Sequence, residues 1–71
     1  MSPRRLGMRI KRARLDKGFT QAKLAKRLRI SRVHLANLES PDNAKHHRSP
    51  SLALLERISR ALGVPVTELL E

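Results

Sequence analysis

The sequence predicts an all-α domain of five short helices. Three observations lead there. Apolar residues recur at helical spacing in segment after segment, and nowhere do β-branched residues alternate with polar ones at a period of two. Serine, threonine, glycine and proline stand where those segments begin and end. The chain has 71 residues and no cysteine, which suits a single small aliphatic core with no disulfide or thiolate metal site to hold it. One domain over residues 1–71 is therefore expected.

Ser2-Pro3 reads as a helix cap followed by proline at the first helical position. Leu6, Ile10, Ala13, Arg14 and Lys17 then fall at helical spacing, and Gly18 can end the helix in the left-handed conformation. Thr20 caps a second helix, whose buried stripe is Leu24, Ala25 and Leu28. Lys23 occupies the position where a capping box would place an acid. Arg29-Ile30 forms a very short turn, and Ser31 caps a third helix running to about Ser40. Pro41-Asp42-Asn43 breaks the pattern, and a polar loop follows to Arg48, the one stretch expected to be flexible. Ser49-Pro50 repeats the cap-plus-proline signal for a fourth helix carrying Leu52, Leu55, Ile58, Ala61 and Leu62, stopped by Gly63. Val64-Pro65 opens a last short helix with Val66, Leu69 and Leu70. Leu54, Val66, Leu69 and Leu70 exceed what so small a core can hide, and the surplus suits an interface between two copies.

The net charge of +10 is unevenly placed. In residues 1–35, twelve Lys/Arg stand against Asp16 alone, a balance of +11; residues 36–71 hold four Lys/Arg and five acids, a balance of −1. A partner with dense negative charge is the natural reading, nucleic acid first and an anionic membrane surface second. The plainer alternative is a solvated, self-repelling surface. No apolar run approaches the ~18–20 residues that cross a bilayer. The basic N-terminus is not followed by an apolar stretch, so no signal peptide is expected.

The third helix has little apolar material and an unusual exposed side. At ~100° per residue, Arg32, Ala36, Ser40, Val33 and Asn37 share an arc of roughly 140°. Leu35, Leu38 and His34 fall on the opposite arc, so the two leucines anchor the helix. Ordinary solvated helices carry Glu, Lys and Gln in i,i+4 pairs. Arginine, valine, alanine and asparagine instead suit the DNA major groove. Arginine can donate twice to guanine, asparagine can pair with adenine, and small apolar groups can meet a thymine methyl.

The stretch TQAKLAKRLRISRVHLANLE, residues 20–39, resembles the helix-turn-helix of the phage-repressor/Cro (XRE) family of transcriptional regulators. The flanks IKRARLDKGFTQ (10–21) and PSLALLERISRALGVPVTELL (50–70) extend the resemblance over nearly the whole chain. It implies a five-helix lambda-repressor-like DNA-binding domain with the helix-turn-helix at 20–40 and a basic loop at 41–48. It implies that Arg32, Val33 and Asn37 face base edges, that Gln21 touches a phosphate and braces the third helix, and that Arg14 and Glu39 form an ion pair. Arg29, Ser31, His34, Lys45 and Arg48 are the further candidates for backbone contacts. The family usually has glycine where this chain has Arg29, and SPDNAKHHRSP (40–50) is longer than the usual connection. The resemblance also implies a cytoplasmic regulator, bacterial or phage-encoded, probing double-stranded DNA as a homodimer through its C-terminal helices.

Other chemistries have little support. His46-His47, with only His34 elsewhere, makes a weak metal site, and neither a metal nor a cofactor is expected. Ser31, Ser49 and Ser51 sit at helix starts, where capping accounts for them, and there is no glycine-rich phosphate loop, so no enzyme is expected. Single-strand binding normally stacks bases on aromatics, and Phe19 is the one aromatic residue. An antitoxin that binds a toxin protein and represses its own operon stays open as an alternative. A membrane-surface role for the basic helix from Arg4 to Lys17 fits poorly with the packed pattern of the other four.

Overall fold

The computed structural model of the chain describes residues 3–40 and 50–70, with side chains from Arg5 onward. Among the described residues five α-helices follow one another: α1 Pro3–Asp16, α2 Gln21–Leu28, α3 Arg32–Glu39, α4 Leu52–Leu62 and α5 Val66–Leu70. No strand occurs among the described residues. Ser2, Ser49 and the loop 41–48 lie outside them.

Three helices end in the same way. Gly18, Arg29 and Gly63 all have positive φ, at 76°, 59° and 67°. In each case the next residue's N–H reaches back to the helix: Phe19 to the Arg14 carbonyl at 3.0 Å, Ile30 to Ala25 at 3.0 Å, Val64 to Ser59 at 3.0 Å. This is the Schellman arrangement, and its usual hydrophobic contact is present, because Phe19, Ile30 and Val64 all pack on the core. The starts are capped by hydroxyls. Thr20, Ser31 and Ser51 accept from the backbone N–H groups of Lys23, His34 and Leu54 at 3.1, 2.9 and 3.1 Å.

The caps and stops force short connections, and these fold α1 and α3 onto one core. Leu6, Ile10, Leu24, Leu28, Leu35, Ile58, Leu62 and Leu69 are fully buried in it. The fourth helix is capped by Ser51, not Ser49, and starts later than the Ser49-Pro50 signal implied. That register points Leu55, Ile58 and Leu62 inward and leaves Leu52, in the first turn at the rim of their arc, 64% exposed. Leu52 is thus not a core residue. Lys17, expected in the stripe of α1, is exposed past the helix end, since the chain has already begun its left-handed turn. Conversely, Leu69 belongs to the core, and of the apolar surplus only Leu70 remains exposed while Leu54 and Val66 are half-buried.

Gly7 marks the closest approach of α1 to the end of α3. A Cβ there would overlap the Leu38 carbonyl oxygen and lie 3.2 Å from the Glu39 carbonyl carbon. Alanine is the better helix former, yet Gly7→Ala is expected to destabilise the domain by about 1–3 kcal/mol, because backbone must move to admit the methyl. Urea unfolding of the two proteins checks this; an unchanged or higher midpoint would mean that α1 slides freely over α3.

Candidate nucleic-acid interface

α3 is held from one side and open on the other. Leu35 is 0% exposed and Leu38 is buried, packed against α1 and α2. Arg32, Val33 and Asn37 are exposed on the opposite face, with Ala36 and Ser40 half-buried beside them. Val33 is 61% exposed. His34 is also exposed, although helical spacing places it toward the leucines. It stands in the first turn at the rim of their arc, where Ser31 caps its N–H.

The far end of α3 is tied down by a polar cluster. Arg14 Nε donates to Glu39 Oε2 at 2.7 Å, and Arg14 Nη2 donates to Oε1 at 3.1 Å. Arg14 Nη1 donates to the Phe19 carbonyl at 2.7 Å, so one guanidinium joins α1, the α1–α2 turn and α3. Gln21 Nε2 adds a third donor to the Glu39 carboxylate, on Oε1 at 3.2 Å. Arg14 and Glu39 are both buried. A bidentate pair with its remaining positions used is the geometry that makes a buried ion pair tolerable. Gln21 thus braces α3, and it is only half-buried, which leaves it open to a ligand as well.

The turn between α2 and α3 rests on Arg29 in the left-handed conformation, φ 59° and ψ 39°. That conformation costs a residue with a Cβ roughly 1–2 kcal/mol. Arg29→Gly is accordingly expected to raise stability by about 1 kcal/mol, measured as a shift of the urea midpoint. A lower midpoint would mean that the Arg29 side chain holds the turn through packing. Two contacts here had no visible signal in the sequence. Arg57 of α4 donates from Nη2 to the Leu28 carbonyl at the end of α2. The Arg27 guanidinium lies over the Phe19 ring, 5.3 Å from its centre. Nothing distinguishes these two arginines from the other cations until the fold brings them to their partners.

Lys45 and Arg48 fall outside the described residues, as do His46 and His47. Among the described residues, no three His, Cys, Asp or Glu side chains gather in a group that could hold a metal ion. No helix among them is long and apolar enough to cross a membrane.

A family model for the helix-turn-helix matches residues 10–69, from the middle of α1 into α5. The chain belongs to this helix-turn-helix family. It is of the phage-repressor/Cro (XRE) type, and the five-helix architecture around α2 and α3 is that family's fold. Over 62 residues this helix-turn-helix chain is 37% identical to the immunity repressor protein of Bacillus phage phi105, covering 87% of its own length and 40% of the repressor's. It is 32% identical over 66 residues to the transcriptional regulator SinR of Bacillus subtilis, covering 93% of itself and 56% of SinR. It thus spans about half the length of these curated relatives or less. Among crystal structures, the clp gene regulator ClgR of Corynebacterium glutamicum superposes with a TM-score of 0.83 at 32% identity, covering 96% of this chain and 67% of ClgR. A structure of the biofilm master regulator SinR in complex with DNA superposes with a TM-score of 0.78 at 32% identity, covering 93% and 98%.

Proposed function

We propose that this helix-turn-helix chain binds double-stranded DNA sequence-specifically and represses transcription from a palindromic operator as a homodimer. The observation that carries this reading is the exposed Arg32–Val33–Asn37 face of α3, projected from a rod that Leu35, Leu38 and the Arg14–Glu39 pair hold still. A major groove admits an α-helix, and these three residue types match base edges there. Most of the positive charge lies on α1, α2 and the start of α3, and its field favours approach to a polyanion. The likeness to a SinR that was crystallised in complex with DNA supports DNA binding by this chain.

In this reading affinity comes mainly from cations neutralising phosphates, and selectivity from α3. Gln21, Arg29, Ser31, His34, Lys45 and Arg48 line the backbone on either side of the groove. Leu52 and Leu70, exposed at the start of α4 and the end of α5, supply apolar surface for a two-fold contact. Such a dimer sets its two recognition helices about 34 Å apart, one turn of DNA. The protein would work in the cytoplasm of a bacterial host.

Selection of bound duplexes from a random pool tests the proposal. Two inverted half-sites with centres about 10 base pairs apart are expected. Enrichment of a single half-site would remove the dimer, and a pool that stays random would remove sequence-specific binding.

A further inference from the structure

The outer face of α1 carries apolar surface that neither the core nor the face of α3 uses. Met8 and Leu15 are 58% and 57% exposed, while Leu6 and Ile10 on the inner face are buried. The two exposed residues stand about two turns apart on one line of the helix. With Lys11, Arg12 and Asp16 they line an open groove of about 560 Å³ that reaches Glu39 at the end of α3. Lys11 and Arg12 are exposed, one on each side of the Met8–Leu15 line, and Arg5 extends the cationic border toward the start of the helix.

We propose that this groove docks an acidic amphipathic helix of a partner protein. The partner's apolar residues cover Met8 and Leu15, and its carboxylates meet Lys11 and Arg12. Apolar anchors at helical spacing laid into a groove are a recurring way for one helix to recognise another, and the cationic borders select an acidic one. A DNA backbone is a poor occupant, since phosphates and sugars give Met8 and Leu15 no apolar partner. A bilayer surface is also a poor one, because membrane-bound helices present a broad apolar face, often with aromatic residues, and this groove offers two apolar side chains. Residues 1–35 of a second copy are ill-matched in charge, carrying twelve Lys/Arg against Asp16, and its residues 36–71, at −1, lack the dense negative charge that the borders suit. Glu39 closes one end of the groove and also receives Arg14 and Gln21, so an occupant sits against the cluster that sets the end of α3.

The test uses the whole chain and a displayed library of helical peptides with one face randomised, counter-selected against Met8→Ser/Leu15→Ser. Both substitutions are on the surface, and an unchanged melting curve shows that the fold is kept. Enriched peptides are expected to carry leucine, isoleucine or phenylalanine in an i, i+3, i+7 line bordered by glutamate or aspartate. A synthetic copy of the most enriched peptide should bind the wild-type chain at least about tenfold tighter than Met8→Ser/Leu15→Ser, and equally so against Lys11→Glu/Arg12→Glu. No enrichment over the variant, or peptides that bind every variant equally, would overturn the proposal. Binding to phosphatidylglycerol vesicles that Met8→Ser/Leu15→Ser abolishes would overturn it in favour of a membrane. A wild-type dimer that this variant converts to monomer would overturn it in favour of a second copy.

Discussion

Glu39→Ala is expected to destabilise the domain by about 3–5 kcal/mol, because it leaves the Arg14 guanidinium buried with no carboxylate to face. Arg14 Nε and Nη2 both lose their acceptor, and Gln21 Nε2 loses its own. For a chain of this size the total stability is of order 4–11 kcal/mol, so the variant should be largely unfolded near body temperature or melt at least about 12 °C lower. Replacing both partners, as Arg14→Met with Glu39→Leu, should recover much of the loss, since no orphaned charge remains. Thermal melts of the single and double variants measure this. A single-variant loss below about 1 kcal/mol would mean that the pair exchanges with water like a surface salt bridge.

Leu35→Ala is the second large effect, at about 2–5 kcal/mol, since Leu35 is completely buried in the core. Its functional consequence should exceed its thermodynamic one. Leu35 anchors the same short helix that presents Arg32 and Asn37, so the folded fraction of the variant should bind a selected operator with reduced discrimination among bases. Val33→Ala provides the contrast. It removes an exposed side chain, and stability should change by no more than about 0.5 kcal/mol while discrimination falls. Urea unfolding together with operator titrations separates the two roles. If Val33→Ala destabilised and Leu35→Ala did not, the assignment of anchor and reader would be reversed.

Much of the architecture was legible because its signals are local. Thr20 and Ser31 cap where expected, and Gly18 and Gly63 take the positive φ that only the ends of helices required of them. Helical periodicity alone placed Leu35 and Leu38 inside and Arg32, Val33 and Asn37 outside. The misplacements share a cause, which is that periodicity knows directions but not neighbours. His34 and Leu52 both sit in first turns at the rim of a buried arc, and both stay exposed among the described residues. The two serines flanking Pro50 offered competing caps, and the burial of Leu55, Ile58 and Leu62 decided for Ser51. Gly7 looks like a flaw in a helix until the backbone of α3 is seen against it. Arg14 and Glu39 are separated by 25 residues, so no local pattern joins them, and the family resemblance was needed to pair them. The base contacts are a different matter, since they depend on a second molecule.

The most direct measurement of the central claim compares wild-type and Arg32→Ala proteins on a selected operator and on every single-base-pair substitution of it. The account predicts that Arg32→Ala loses discrimination at one position of each half-site, by roughly 1–3 kcal/mol, and leaves the preferences elsewhere intact. A uniform weakening on all duplexes, with a shallower salt dependence, would make Arg32 a phosphate contact and would contradict the reading of α3 as the helix that recognises sequence.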